Sequence, residues 1–410
     1  MGRKVRYLVL TGGFFYVIAV ANDRLAMYAL AWLLISLLLV AFAVARLNAH
    51  GLAARRLAVP RRLTAGQPLP GALELVNLGS MPKSQLLLTD AWRYEGAPET
   101  DSRTVLVGGL AGESGLRYET EGPAARRGVA VLGPLAVTAG DPLGLFEVTR
   151  DLDGTRAEIL VHPRLVSLGG ALPRGLLGAD EGHAGRAASG LELHSLRPYV
   201  LGDDLRHVHW PASAHGGQLL VKEYERPASG EALVLLDLDR RQIFGRSAGS
   251  SLETAVTAAA SLLRLLTDLG HPARLAAWED GPLDWHLTAG SRLPIELLDG
   301  LARIRGAGTV SAAELLRRQR ERLGGRVSLA LLTAGPTPEL LEELRALAQA
   351  GRGVWLILLS AAAFGAGATP EGLLTPAQVA ARLAGGPRLT VLTPGDDLAA
   401  ALAAGGEGAP

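Results

Sequence analysis

Hydrophobic and polar positions divide the 410-residue chain into three kinds of pattern. The first is continuous apolarity. Tyr7 to Asn22 carries no charge, and Leu25 to Ala45 is an uncharged run of 21 residues. At 1.5 Å per residue a helix over the second run spans about 31 Å, matching a hydrocarbon core of about 30 Å. The first run is shorter and contains Gly12 and Gly13; alone it also fits a signal peptide, basic, then apolar, then small. Because only Asn22-Asp23-Arg24 separates the runs, the pattern predicts a transmembrane helical hairpin, about 7–22 and 25–45, within residues 1–50. A hairpin buried in a soluble protein is the competing reading, but buried helices rarely run so long without a charge. Arg3, Lys4 and Arg6 precede the hairpin, and Arg46, Arg55, Arg56, Arg61 and Arg62 follow it. By the positive-inside rule both ends lie in the cytoplasm, with a tiny loop outside.

From Leu52 to about Pro163 the pattern shortens. Apolar stretches such as 69–79, 84–90, 103–110, 115–120, 128–150 and 157–163 alternate and are broken by Gly, Pro and Asn. Six to eight short antiparallel strands are expected, hence an immunoglobulin-like β-sandwich over 51–165. Gly140-Asp141-Pro142 reads as a turn in which Pro142 fixes φ. Residues 166–189 are glycine-rich with little periodicity and read as a linker. Residues 190–230 concentrate aromatic, acidic, basic and imidazole side chains.

The third pattern begins at Ala232, where continuous apolar runs alternate with helical periodicity. Expected strands are 232–239, Ala273–Trp278, a short one near Asp284–Leu287, Val327–Thr333, Val354–Ser360 and Leu389–Leu392. Expected helices are Ser251–Leu269, Pro294–Ile304, Ser311–Leu323, Thr337–Gln349, Pro376–Ala384 and Asp396–Ala404, the first opened by Ser250 with Glu253 three residues on. Buried strands alternating with helices predict a doubly wound, mostly parallel α/β domain over 231–404. Residues 405–410 read as a tail.

Composition narrows the chemistry. Length predicts two or three domains. Mean hydropathy is +0.22, high for a wholly soluble protein. A net charge of +1 supplies no global field for nucleic acid. The absence of cysteine excludes disulfides, thiol catalysis and Cys-ligated zinc. None of the lysines, Lys4, Lys83 and Lys222, follows a glycine, so no P-loop exists, and no G-x-G-x-x-G follows the strand at 232–239. Gly245-Arg246-Ser247-Ala248-Gly249 matches a nucleophile elbow, with His271 and His286 as conceivable triad partners, but the strand ends several residues too early.

The alternation and the apolar strand ending in Asp resemble the von Willebrand factor type A fold. The metal site of that fold reads Asp-x-Ser-x-Ser, with a further Asp at a later strand end. Here the loop is Asp237-Leu238-Asp239-Arg240-Arg241, and Ala334 stands where the later Asp is expected. Asp237, Asp239 and Ala334 are therefore degenerate metal-site positions, no metal or other cofactor is expected, and the two aspartates read as partners of nearby arginines.

Five of the nine histidines lie between His183 and His215. His207-x-His209 on a strand would put both rings on one face, and with His194, His215, Asp203 and Asp204 would outline a metal or hydrolytic site. No metal-ligand spacing such as H-E-x-x-H is present, and Leu205, Val208 and Trp210 read as core. Two readings remain open. In one, Asp203 and Asp204 form a turn paired with Arg197 and Arg206, a structural polar network. In the other, the same Arg, Tyr and Trp residues form a partner-binding surface.

Gly190, Leu196-Arg197-Pro198-Tyr199, Gly202-Asp203-Asp204, Arg206, Trp210, Ala212-Ser213-Ala214, Leu219 and Glu223 resemble the signature of the bacterial domain-of-unknown-function 58 family. Gly140–Phe146, reading Gly-Asp-Pro-Leu-Gly-Leu-Phe, resembles another recurring piece of those proteins. His209 and His215 depart from the acid and the Arg usual at their positions, so any salt bridge between these positions is not expected here. The resemblance implies a membrane-anchored, von Willebrand factor type A-like protein that accompanies MoxR-type AAA+ ATPases, often with transglutaminase-like membrane proteins. The expected role is a non-enzymatic adaptor or substrate of such an ATPase, its site residues being Arg197, Tyr199, Gly202, Asp203, Asp204, Arg206, Trp210, Ser213 and Glu223. A hydrolase using the histidine cluster or Ser247 is the alternative.

Overall fold

The uncharged N-terminal runs form two helices, α1 (Arg3–Asn22) and α2 (Leu25–Ala49), in the computed structural model. The structure describes residues 3–22, 24–97, 99–119, 122–169, 192–199, 208–210, 213–214, 219–225, 230–246, 249–320 and 327–404. Helix α1 begins before its apolar run and takes in Arg3, Lys4 and Arg6; α2 continues four residues past Ala45, through Arg46. Small side chains lie buried along the pair, Gly12 and Ala19 on α1, Ala31, Ala41 and Ala45 on α2, so the backbones approach closely. Leu10, Phe14, Val17, Trp32, Leu33 and Leu39 are each more than 60% exposed. Both helices are long and apolar enough to cross a membrane, and an outward apolar surface is what lipid requires.

Helix α2 runs almost directly into a β-rich region. Its strands are β1 (Leu52–Arg56), β2 (Arg62–Thr64), β3 (Leu73–Asn77), β4 (Lys83–Tyr94), β5 (Thr100–Leu110), β6 (Gly115–Tyr118), β7 (Gly128–Leu132), β8 (Leu135–Gly140), β9 (Glu147–Leu152) and β10 (Ala157–His162). One sheet has the order β1-β3-β6; the other has the order β2-β10-β7-β4-β8-β9, with β5 on β4. Leu73 and Leu75 of the small sheet share a core with Leu86, Leu88, Val107, Leu135 and Val137 of the large one. Among the described residues ten strands replace the expected six to eight, and β2 pairs parallel to β10. The extra strands include β1 and β2, whose arginines interrupt the alternation by which a strand is read.

Polar side chains fasten α2 to these sheets. Asn48 Nδ2 donates to the carbonyls of Ser84 at 2.7 Å and Gly140 at 3.0 Å, and its Oδ1 accepts from Ser84 N at 3.1 Å. Lys83 Nζ donates to Leu47 O at 2.5 Å, placing a cation at the negative end of the helix, while burial pulls its ammonium pKa below the usual range. Asp141 closes the loop Gly140–Phe146 by accepting from the backbone N–H groups of Leu143, Leu145 and Phe146 at 2.8, 2.8 and 2.6 Å. Burial alone would raise its pKa; these N–H donors outweigh it and hold the carboxyl below the usual range. The loop sets the Phe146 ring edge-on to Phe42 of α2, 5.5 Å between centroids.

The chain divides into two compact units, Met1–His162 and Pro163–Pro410. The second holds a hairpin, β11 (Glu192–Pro198) and β12 (Leu220–Glu225), and then an α/β region. Its elements are β13 (Ala232–Leu236), α3 (Ser251–Asp268), β14 (Ala273–Trp278), β15 (Pro282–Leu287), α4 (Ile295–Arg303), α5 (Ala312–Arg320), β16 (Ser328–Thr333), α6 (Pro338–Gln349), β17 (Val354–Leu359), α7 (Pro376–Leu383), β18 (Arg388–Leu392) and α8 (Leu398–Ala404). The sheet order is β15-β14-β13-β16-β17-β18, parallel throughout except for β15 at one edge. Alternate residues of β13 serve opposite faces: Val234 and Leu236 pack in the layer with α3, Leu233 and Leu235 in the layer with α5, α6 and α7. The start of the expected linker is instead structural. Val166 N donates to Ser261 Oγ at 2.9 Å, and Leu168 is buried in the α3 layer. The rest of the expected linker and the tail lie outside the described residues.

Candidate functional site

The segment with the densest polar signal folds around the β11–β12 hairpin. The strands pair antiparallel from Glu192↔Glu225 to Pro198↔Leu220, with a bulge between Leu193 and Ser195. Beyond the hairpin, Tyr199 N donates to Leu219 O and His209 N to Leu220 O, both at 2.8 Å, and Val208 bridges Val221. Ser213 fixes the turn that follows. Its hydroxyl donates to His209 O and accepts from Leu220 N, both at 2.9 Å, and the residue is buried. A buried hydroxyl with both functions satisfied is a structural hinge pin. In the sequence Ser213 stood out only through its place in the Ala212-Ser213-Ala214 piece of the family resemblance; its pinning role was not readable.

Val208 is buried as expected of a core residue, but Trp210 is 61% exposed. The expectation that Trp210 belongs to the core is thus corrected: it opens the helical turn that Ser213 holds and faces outward. Arg197 and Glu223 lie on β11 and β12 respectively. Gly202, Asp203, Asp204, Arg206, His183, His207, His215 and Ser247 lie outside the described residues. His286 pairs with Glu231 and Asp284 at 3.7 and 3.5 Å, on the edge strand β15.

A second cluster forms at the carboxyl ends of the parallel strands, where open α/β sheets present ligand crevices. Here β13 and β16 end side by side, because Asp237 N continues the pairing to Leu332 O. Asp237 Oδ2 accepts from the Thr333 hydroxyl at 2.6 Å, and Oδ1 accepts from Asp239 N at 3.0 Å. Burial pushes the Asp237 carboxyl up to about 6, against the lowering effect of these two bonds. Asp239, 1% exposed, behaves oppositely. Burial would raise its pKa, but the Arg241 guanidinium and Arg241 N–H outweigh that and hold it below the usual range. Arg241 Nε and Nη2 reach the two Asp239 oxygens at 3.0 to 3.1 Å and 2.7 Å, a fork-to-carboxylate pair that also starts the turn Arg240–Gln242.

Asp237, Asp239 and Arg241 line a cleft of about 470 Å³ together with Gln242, Ser311, Thr337, Glu339 and Glu371. The structure therefore brings Asp237 and Asp239 together, with buried Ala334 following Thr333. Thr333 was missed in the sequence, although it supplies the hydroxyl that Asp237 holds. Among the described residues no group of three or more His, Asp or Glu is close enough to hold a metal ion. The donor set does not fit a divalent cation: Asp239, the second carboxylate, is already occupied by a guanidinium.

Residues 195–350, from the β11 strand to the end of α6, match the family model described as protein of unknown function DUF58. This segment is similar to DUF58. The matched span contains the hairpin, the Ser213 turn and the Asp237–Thr333 cleft, so both clusters are parts of the DUF58 segment. No curated protein matches the chain. Among solved structures it is similar to a late embryogenesis abundant (LEA) protein at 16% identity over 32% of this chain and 83% of that one, TM-score 0.21. A superoxide reductase (neelaredoxin) from Ignicoccus hospitalis aligns at 17% identity over 27% of this chain and 79% of that one, TM-score 0.16. A cycloisomaltooligosaccharide glucanotransferase from Paenibacillus sp. aligns at 10% identity over 74% of this chain and 44% of that one, TM-score 0.16. At TM-scores this low these likenesses support no statement about the fold or activity of this protein.

Proposed function

We propose that this protein is a membrane-anchored, non-enzymatic interaction protein that works with a MoxR-type AAA+ ATPase at the bacterial cytoplasmic membrane. The observation that carries the reading is the fastening of α2 to the β-rich region through Asn48 and Lys83. An enzyme that only needs to stay near a membrane is served by a flexible tether. A protein that takes part in assembly driven by an ATPase needs an anchor that resists displacement, and buried side-chain bonds to backbone on both sides supply one. The exposed Trp210 on a turn pinned by buried Ser213 adds an aromatic anchor suited to a docking surface.

The strand order and the single antiparallel edge strand favour a von Willebrand factor type A-like reading of the α/β region, with Arg241 in the place of a bound cation. The two facing sheets upstream favour an immunoglobulin-like reading. Basic residues in the first turn of α1 and from the last turn of α2 onward favour two passes with both folded units on the cytoplasmic side, where the ATPase resides. Transglutaminase-like membrane proteins are further candidate partners.

Co-purification from detergent-solubilised membranes tests the proposal, comparing the wild type with the Arg197→Ala/Asp204→Ala double variant. A MoxR-type ATPase identified in near-stoichiometric amount with the wild type, and depleted about tenfold with the variant, is expected for loss of one anchor pair. Recovery of the wild type without any such ATPase refutes the partnership. Reporter fusions at Asn22 and Pro410 should read opposite sides of the membrane; reading the same side refutes the topology.

A further inference from the structure

The loop Gly140–Phe146 joins β8 to β9, and its tip, Pro142-Leu143-Gly144, is exposed, Leu143 to 54%. One exposed leucine is ordinary on a protein surface. The place of this one is not. The loop starts at the level of Asn48, whose Nδ2 donates to Gly140 O, and ends at the level of Phe42, whose ring meets Phe146. Along α2 those two levels are about 9 Å apart at 1.5 Å per residue. Phe42 lies inside the uncharged run that ends at Ala45, by about 4.5 Å along the axis. Arg46, the first charge after that run, lies over the same ring at 6.0 Å. On α1, Lys4 Nζ comes within 3.9 Å of where a Cβ on Gly144 would stand. The loop is thus wedged against both helices at the level where their apolar surface gives way to charge.

Its backbone suits that level. Pro142 has no N–H. Asp141 N donates to Phe146 O, Gly144 N donates to Asp141 O, and the N–H groups of Leu143, Leu145 and Phe146 donate to the Asp141 carboxylate. Every N–H from Asp141 to Phe146 therefore has its partner inside the loop. On a loop in water such groups could be left to the solvent. In an apolar phase they could not, because backbone enters lipid only with its polar groups already bonded.

We infer, resting on the membrane-anchored reading above but on neither its sidedness nor its ATPase, that the tip Pro142-Leu143-Gly144 inserts into the lipid of the leaflet where α2 ends. The β-rich unit then sits on the bilayer at a fixed depth instead of standing off on a stalk. Lipid is the occupant because the tip continues the exposed apolar surface of α2 at Leu39 and Phe42. Lys4 and Arg46 stand at the rim, where long cationic side chains keep their charge among the headgroups.

The chain has no cysteine, so one introduced cysteine carries an environment-sensitive fluorophore at a single place. Full-length protein with Leu143→Cys, Leu39→Cys or Arg93→Cys is labelled and reconstituted in phosphatidylcholine vesicles. Part of the lipid bears a nitroxide quencher near the top of its acyl chain. Leu39, exposed on α2 within the apolar run, reports the anchor. Arg93 is exposed about 33 Å along β4 from Lys83, which bonds the end of α2, and reports water. The Leu143 label should be quenched severalfold more than the Arg93 label, with its emission shifted toward the blue like that of Leu39. A quenched Leu39 beside a Leu143 that matches Arg93 overturns the inference and leaves the anchor standing. If neither Leu39 nor Leu143 is quenched, the anchor fails and the inference with it. A Leu143 label untouched by lipid nitroxide but shielded from an aqueous quencher in native membranes assigns the loop to a protein partner, and that also overturns the inference. Pro142→Cys, exposed on the same tip, carries the same expectation if Leu143→Cys fails to fold.

Discussion

The two units bury polar groups for different purposes. In the β-rich unit they hold backbone to backbone. Asp90, 1% exposed, receives Arg56 at 2.6 and 3.1 Å and Arg103 at 2.7 Å, and Arg56 also donates to the carbonyls of Thr155 and Gly133. Asn77, fully buried, donates to Met81 O and Ala111 O. In the α/β unit the interior strands β13, β16 and β17 are buried at every position, and nearly all those positions are apolar. A parallel sheet covered by helices on both faces leaves polar side chains nowhere to sit except at strand ends. A sheet with many loops leaves buried backbone groups that need partners. The same observation, a buried charge, therefore marks architecture in one unit and a candidate site in the other. Arg274 departs from this division: it is buried on β14, pairing with Asp284 on the edge strand β15 and donating to Gln319 at 2.9 Å.

The comparison breaks most directly at Asp90. Asp90→Ala leaves two guanidiniums, with side chains 5% and 15% exposed, facing no carboxylate. Removing one partner of such a buried pair costs about 3–5 kcal/mol. Urea denaturation of the full-length chain in detergent, read by tryptophan fluorescence, should resolve the units as separate transitions. The transition of the β-rich unit should move to lower urea by that amount while the other stays in place. A loss below about 1 kcal/mol would place Asp90 among surface ion pairs and remove the contrast.

How far the sequence showed these features depends on whether their residues are neighbours along the chain. The hairpin helices, the α/β alternation and the degenerate Asp237-x-Asp239-Arg240-Arg241 loop are local patterns and were readable. The Asp90 network was not. Its three residues, Arg56, Asp90 and Arg103, come from three strands, and nothing in their local context marks them as buried. Thr333 went unnoticed beside Asp237 for the same reason, since only the β13–β16 pairing brings them together. Trp210 failed in the other direction: apolar size predicts burial, but a large side chain on a short turn has no layer to enter.

Asp237 tests the strand-end side of the comparison. Its folded-state pKa of about 6 lies above the ordinary 3.8. The native state therefore keeps a proton that the unfolded chain releases between pH about 4 and about 6. Because the native state binds more protons in that window, stability falls as pH rises through it and levels off above about 6, by about 3 kcal/mol in all. Asp239 and Arg241 act on the group from the same loop in opposite senses, and Arg241 stays charged throughout. In Asp237→Asn that fall should vanish, with the amide donating to the Thr333 hydroxyl oxygen and its carbonyl accepting from Asp239 N. The midpoint of the α/β transition, followed in urea against pH, is the readout. Equal pH slopes in variant and wild type would show that Asp237 ionises normally.

The smallest effect concerns a polar group that is neither buried network nor site. Thr375 caps α7: its hydroxyl accepts from Gln378 N at 3.3 Å, and Gln378 Oε1 accepts from Thr375 N at 2.9 Å. Leu374 before the cap and Val379 at the start of the helix are both buried in the same core layer, on either side of the cap. Thr375→Ala removes one half of this box and leaves Gln378 bonded to the backbone, so about 1 kcal/mol should be lost. The loss should appear only in the α/β transition and show no pH dependence between about 4 and about 7, since no titrating group takes part. Compared with Asp90→Ala, it separates a side chain that satisfies one solvent-accessible backbone group from one that neutralises two buried charges. If the two substitutions proved equally costly, neither burial nor charge would be setting the scale, and the contrast between the units would fail.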